Sequence, residues 1–359
     1  MVKATTILRR TTTILRRTML GGAVLLALGL GLQPGAPADA ANAKRVCVSW
    51  RHFQEERWRI DEAGIKSVLG PAGYTYVSAD AQGDPQKQMT DVDSLLTSKC
   101  DAAIILAQDS KAIVPAIAQG KAAGVPMIAY DVPVDSPDVT FVSFDNVAVG
   151  RAMADGMVKV KNSGNWALIE GDATMTIINL FREGQMQVLK PLIDKGQIKV
   201  VATQNIENWK PDLAQAAMEQ ILTQTDNKVD AVLAMNDGMA TGVTAALAAQ
   251  KMVGIPLSGQ DGDKAALNRI AKGQQTVSVW KNSFLLGQAA AKAAIEMAEG
   301  APVTGTKPFN TPSGQTQPSI LLTPVGITRD NLNLVVDGKW ISKAELCDGV
   351  TENPPAACK

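Results

Sequence analysis

From residue 44 onward, short wholly apolar runs alternate with longer stretches in which apolar residues recur every three or four positions. The short runs, bounded by Gly, Pro, Asn or Asp, read as buried strands, and the longer stretches as helices packed on one face. The pattern predicts strands at 46–50, 74–79, 102–107, 126–130 and 140–143, with helices at 55–69, 85–98 and 111–123 between the first four. It restarts after Asn146 with a helix to Lys161, strand 166–170, helix 178–195, strand 200–204, helix 211–224, strand 231–235 and helix 239–250. A strand at 276–279, an Ala-rich helix at 284–299, a Pro/Gly/Thr-rich stretch at 300–318 and a last strand at 320–323 follow. Strands joined by helical crossovers of this length form parallel sheets. The expected fold class is therefore α/β, with two doubly wound parallel-sheet lobes, a cleft between them and a three-segment hinge. Residues 44–145 plus 281–318 would form the first lobe, 146–280 plus 319–345 the second, and 346–359 a tail.

Three of the apolar runs end in a carboxylate or carboxamide: GVPMIAYD (124–131), VLAMND (232–237) and SGQDGD (258–263). Polar groups gathered at the carboxyl ends of parallel strands are where open α/β sheets bind small molecules, so the pattern points to a ligand.

The first 43 residues have a different pattern. Lys3, Arg9, Arg10, Arg16 and Arg17 precede an apolar run at 19–32, then Pro34, Pro37 and Ala38-Asp39-Ala40-Ala41. A basic start, an apolar run shorter than the roughly 20 residues a spanning helix needs and an Ala-x-Ala exit describe a secretory signal peptide over 1–40. The repeated TTILRRT unit leaves general and twin-arginine export both open. The mature chain is then expected in the periplasm. Removing the leader turns a chain of zero net charge into one of −4, which disfavours nucleic acid as a partner. Roughly 315 residues remain, enough for two cores of ordinary size.

Four cysteines can pair in three ways. Cys47 lies in the first strand and Cys100 just before the third, neighbours in a 2-1-3-4-5 doubly wound sheet, while Cys347 and Cys358 bracket a Pro-rich tail. The expected bridges are Cys47 with Cys100 and Cys347 with Cys358, with buried free thiols in the strands as the alternative. Scattered cysteines and a single histidine, His52, do not make a metal site. No cofactor is expected.

The order of GVPMIAYD, FVSFDN, LFREGQM followed by VLKPLIDKGQIKVV, then VDAVLAMND, SGQDGD and TVSVWK resembles the periplasmic sugar-binding proteins of ABC importers, most closely their D-xylose-binding members. The resemblance covers residues 44 to about 336. It implies a type I periplasmic binding protein fold that closes as a monomer on a monosaccharide or polyol and delivers it to a membrane permease; presentation to a chemoreceptor or sensor kinase is compatible with it. Carried over position by position, it implies ligand contacts from Arg57 and Trp58 in EERW, Asp131 in AYD, Trp209 in NWKP, Asn236 in AMND, Asp261 in GQDGD and Lys281 in VWK. The chemistry suits a sugar: hydroxyls both donate and accept, so carboxylates, an amide and fixed cations satisfy them, and the C–H faces of a pyranose suit an indole. On spacing alone the tryptophans also read as core, the aspartates and Asn236 as turn or cap residues, and Arg57 and Lys281 as surface charges. Asp145 and Asn146 of FDN are expected to organise the hinge.

Two departures bear on the ligand. Val132 stands where the family usually has arginine, and Met175 and Ile177 align with polar contacts. A site that has lost a cation and two polar groups leaves ligand hydroxyls unpaired at ~1–3 kcal/mol each, so a deoxy-sugar, methylated sugar or small polyol fits better than xylose. In a gap-shifted alignment Asp172, Thr174 or Thr176 would supply the missing bonds. Trp50, His52 and Phe53 make the first-lobe wall more aromatic than a simple pentose needs. A LacI-type regulator shares this core but would carry an N-terminal helix-turn-helix and no leader. No G-x-G-x-x-G follows the first strand, and the absence of G-x-S-x-G and H-E-x-x-H also argues against an enzyme.

Overall fold

The computed structural model describes residues 44–359, so the leader expected over 1–40 lies outside the described residues. The chain opens with β1 (Arg45–Trp50), α1 (Arg57–Leu69), β2 (Thr75–Asp80), α2 (Pro85–Thr97), β3 (Ala102–Ile105), α3 (Val114–Ala122), β4 (Met127–Tyr130) and β5 (Val139–Phe144). Next come α4 (Asn146–Val158), β6 (Gly164–Glu170), α5 (Ile177–Asp194), β7 (Ile198–Asn205), α6 (Pro211–Gln224), β8 (Ala231–Ala234), α7 (Asp237–Ala249), β9 (Ser258–Asp261), α8 (Lys264–Ala271) and β10 (Val277–Trp280). The remainder is α9 (Ser283–Ala298), β11 (Lys307–Asn310), β12 (Thr316–Leu322), β13 (Val325–Ile327), α10 (Asn333–Asp337) and α11 (Lys343–Leu346).

One seven-stranded sheet runs β11-β12-β5-β4-β3-β1-β2, parallel except for the antiparallel β11–β12 pair. The second lobe holds β7-β6-β8 and β9-β10-β13, linked by a parallel bridge between Val232 and Leu257. Residues of β3, β4 and β8 are buried throughout, as parallel strands covered on both faces by helices must be. This is the doubly wound α/β architecture in both lobes.

Three connections cross between the lobes: β5 to α4, β10 to α9, and β12 to β13. The last one corrects the expected boundary. The strand near 320 was assigned to the second lobe, with the exit near Pro318, yet Ser319–Leu322 pair in parallel with Phe141–Phe144 of the first-lobe sheet. The chain leaves only after Leu322 and enters the second lobe at β13. The Pro/Gly/Thr-rich stretch at 300–318 holds β11 and the start of β12, an antiparallel hairpin. Pro308 lies directly opposite Pro318, a pairing in which neither missing N–H interrupts the ladder between the two strands.

Helix packing brings the hinge and the start of α1 together. A Cβ on Gly64 would lie 2.3 Å from the Phe284 carbonyl oxygen, and one on Gly287 2.2 Å from that of Asp61. Any larger residue at either position would force α1 and α9 apart. α1 begins at Arg57 and α9 begins two residues after Lys281.

Cys47 bridges Cys100 with Cα atoms 5.7 Å apart, tying β1 to a position two residues before β3. Cys347 bridges Cys358 across a Cα separation of 5.6 Å. The tail is docked: Leu346 and Ile341 are buried with Leu267 and Ile270 of α8, and Ala357 and Cys358 pack against that cluster. Among the described residues no helix is long and apolar enough to cross a membrane.

Candidate functional site

Every side chain expected to meet a ligand sits just beyond the carboxyl end of a strand or at the start of the helix that follows. Arg57 and Trp58 open α1 after β1, Asp131 follows β4, Asn236 follows β8, Asp261 ends β9 and Lys281 follows β10. Met175 and Ile177 lie in the turn between β6 and α5, and Trp209 in the 3-10 turn after β7. All nine line one pocket between the lobes, with a cavity volume of about 30 Å³.

Its centre is a buried charge network. The Arg57 guanidinium donates to Asp131 Oδ1 at 2.9 Å, to Asp261 Oδ1 at 3.1 Å and to Asp61 Oδ2 at 3.3 Å. The Lys281 ammonium lies 3.1 Å from Asp261 Oδ1 and 3.7 Å from Asp131 Oδ1. Asp131 and Asp261 both adopt positive φ, 58° and 103°. These backbone kinks end β4 and β9 facing each other across the lobes. Burial pushes the Asp131 carboxyl up, but Arg57 and Lys281 outweigh it and hold it below the usual carboxylate range. Behind Arg57, burial raises Asp61 to about 6 even though Arg57 and the Tyr130 hydroxyl bond to it.

Two indoles flank this network. The Trp58 ring stacks under the Arg57 guanidinium at 4.2 Å and donates its N–H to Glu55 at 2.6 Å. Trp209 reaches the pocket from two consecutive residues of positive φ, Asn208 and Trp209. A Cβ on Gly171 would fall 2.0 Å from the Trp209 ring, so only glycine admits the indole there. Asn236 has both roles open in its sequence: Oδ1 caps α7 by accepting from Met239 N at 2.8 Å, and the residue lines the pocket.

The loop after β6 decides between its two alignments. Asp172 Oδ1 accepts from the Thr174 N–H and hydroxyl, and its Oδ2 from Asn208 N at 2.7 Å. Thr176 bonds Ser110 and the Pro133 carbonyl across the lobe boundary. None of Asp172, Thr174 or Thr176 lines the pocket, whereas Met175 and Ile177 do, with Phe181 beside them. The polar residues of the loop are consumed in shaping it and in sealing the lobes together.

Asp145 caps α4 by accepting from Ala148 N at 2.9 Å, and its own N–H donates to Leu322 O, joining the first and third crossings. Asn146 donates to Ser143 Oγ at 3.1 Å. Both stand at the crossing and neither lines the pocket.

Arg51, Glu55, Phe181 and Gln260 also line the pocket and were not anticipated. Arg51 follows β1 directly, so the strand-end pattern that marks Asp131 and Asn236 marks it too. An arginine beside His52 and Phe53 reads instead as a surface charge. No group of His, Cys, Asp and Glu able to hold a metal ion occurs among the described residues.

A family model described as a periplasmic binding protein domain matches residues 46–302. The D-xylose-binding periplasmic protein of Escherichia coli is 34% identical over 312 residues, which cover 86% of this chain and 94% of that protein. The protein of the same description from Haemophilus influenzae is 35% identical over 303 residues, covering 83% and 91%. A carbohydrate transporter solute-binding protein from Chloroflexus aurantiacus, solved in complex with D-glucose, superposes with a TM-score of 0.78 at 28% identity, covering 84% of this chain and 98% of that one.

Proposed function

Because this chain belongs to the periplasmic binding protein domain family, we propose that it captures a monosaccharide or related polyol between its lobes outside the cytoplasm and delivers it to the permease of an ABC importer. The observation that carries this reading is the pair of interlobe carboxylates, Asp131 and Asp261, locked by Arg57 and Lys281 between two indoles. Every contact to these cations falls on Oδ1, which leaves Oδ2 of each aspartate to accept from ligand hydroxyls. The Asn236 amide N–H₂, Arg57 and Lys281 are the donors for ligand oxygens. Trp58 and Trp209 cover the sugar faces.

Arg57 and Asp131 come from the first lobe and Asp261 and Trp209 from the second, so only the closed form contacts a ligand from both sides. Ligand then shifts an open–closed equilibrium toward closure, and the closed outer surface is what a permease reads. The crossings at Asp145, Asn282 and Thr323 absorb the rotation. Val132, Met175, Ile177 and Phe181 supply no strong partner for a hydroxyl, which supports a ligand with one less-hydroxylated edge. The reading includes export on the basic and apolar leader, action as a monomer and no turnover; a chemoreceptor or sensor kinase that reads the same closure is compatible with it.

Titration calorimetry of the mature protein against pentoses, hexoses, deoxy-sugars and polyols, with scattering on the same samples, tests it. Binding at one site per chain accompanied by contraction is expected. Absence of binding across the panel, or turnover of any member, would overturn it.

A further inference from the structure

We infer that the preferred ligand carries a carboxylate, a monosaccharide acid rather than a neutral sugar, and that Arg51 is the residue that selects it. This inference rests on the pocket being a monosaccharide site. The three pocket cations are not equivalent. Arg57 and Lys281 each pair with carboxylates of the protein. Arg51, 2% exposed and lining the same pocket, makes no ion pair; its one hydrogen bond runs from Nη1 to the Met175 sulfur at 3.0 Å. Thioether sulfur is a weak acceptor, so this contact does little to neutralise a buried guanidinium.

The unused donors have a definite geometry. Nε and Nη2 are buried and without a partner. These two N–H groups lie parallel along one edge of the planar guanidinium, the fork that two oxygens of a single carboxylate match. Glu55, Asp172 and Asp131 lie near enough to act on its charge, but none bonds it, and a buried cation with no hydrogen-bonded counter-ion is costly. Vicinal hydroxyls can accept from the same fork, but each brings a proton that needs an acceptor of its own. The neighbouring wall of Val132, Met175 and Ile177 offers nothing better than the Met175 sulfur, which already accepts from Arg51 and from the Trp209 N–H at 3.2 Å. Of the carboxylates that act on Arg51, Glu55 accepts the Trp58 N–H, Asp172 accepts from Thr174 and Asn208, and Asp131 accepts from Arg57. A carboxylate brings two acceptors and no proton. It therefore suits the two unused donors of Arg51, and the apolar residues beside it have no hydroxyl to leave unpaired.

The test compares acids with their neutral parents: D-xylonate against D-xylose, and D-gluconate and D-glucuronate against D-glucose, by titration calorimetry at pH 7. At least one acid is expected to bind about tenfold or more tighter than its parent, as charge-assisted hydrogen bonds imply. Arg51→Gln, which keeps donors and removes the charge, should bring that ratio close to one by weakening the acid far more than its neutral parent. Arg51→Lys should fall between. If every neutral sugar binds as tightly as its acid or tighter, this inference fails and the monosaccharide reading stands. Equal weakening of acid and parent in Arg51→Gln would make Arg51 a scaffold residue and overturn it as well. If no compound of either kind binds, both readings fall. Should Arg51→Gln not fold, the wild-type comparison alone decides the ligand class.

Discussion

Across the pocket, the first lobe presents Arg51, Glu55, Arg57 and Asp131, whereas the β6–α5 turn of the second presents Met175 and Ile177 with Phe181 beside them. The first wall carries charge, with Arg57 bonded to carboxylates and Arg51 without an ion pair; the second has its polar residues turned away into Asn208, Ser110 and Pro133. Both walls are buried, so the contrast is one of polarity. On the charged side, Arg57 is neutralised before any ligand arrives and its orientation is fixed by three carboxylates. Preorganised groups of this kind set where ligand hydroxyls go without a large ordering penalty. On the apolar side a ligand hydroxyl meets no good partner, so that wall acts by exclusion. One side decides how a ligand is held, and the other which ligands are refused.

The most disruptive way to break this contrast is Arg57→Met. Three buried carboxylates would lose their shared counter-ion, and stripping one partner from a buried pair destabilises by ~3–5 kcal/mol. Chemical denaturation should register a loss of that order together with undetectable ligand binding; retention of either would mean that the network is peripheral. Next in size is Trp209→Ala, which empties the second-lobe face of its indole. Affinity should fall by ~2 kcal/mol or more, in the manner of buried aromatic anchors, with a smaller change in unfolding midpoint than Arg57→Met gives. A fall in stability with unchanged affinity would reassign Trp209 to packing alone.

Ile177→Asn and Met175→Asp would instead make the apolar wall resemble its opposite. Each added polar group should improve binding of a fully hydroxylated pentose by ~1 kcal/mol, and weaken binding of a ligand with an apolar edge by a similar amount. Measured selectivity between xylose and a deoxy-pentose reports this directly, and unchanged selectivity would remove the exclusion role.

The finest comparison is between two carboxyls, one behind each wall. Burial lifts both Asp61 and Asp237 to about 6. Asp237 receives the Gly262 and Asp263 N–H groups at 3.0 Å and so holds the turn that follows Asp261. A folded-state pKa raised above the ordinary aspartate value means that the folded protein binds the proton more tightly than the unfolded chain. The associated stability is complete below about pH 4 and is lost as pH rises through about 6. Asp61→Asn and Asp237→Asn should each flatten the stability–pH profile within that window, by unfolding midpoints taken between pH 4 and 7. An unaltered profile in both would mean that neither carboxyl titrates there.

The alternation of apolar runs and helical stretches carried most of the fold, because parallel strands covered on both faces leave the clearest possible signature: β3, β4 and β8 are apolar without interruption. Of the hairpin, only the end of β12 showed, as the strand at 320–323; β11 and the start of β12 left no trace, since Pro308, Pro318 and Gly314 are residues of turns as much as of sheet edges. Helices α10 and α11, five and four residues long, are too short to show a period. In the site, Asp131, Asn236 and Asp261 were legible as strand-end polar residues. Trp58, Trp209 and Lys281 needed the family resemblance, because spacing alone does not separate an indole in a pocket from one in a core. Arg51 carried the strand-end signal, but its burial comes from two lobes brought together, and no local pattern separates it from a surface arginine.

The hydrogen bond from Asp145 to Leu322, and the parallel pairing of β12 with β5, have a consequence for biogenesis. The first lobe's sheet draws strands from residues 45 to 322, so it stays one strand short until nearly all of the chain is available. The lobe that begins first is completed late, and a chain cut short before residue 322 could not close it.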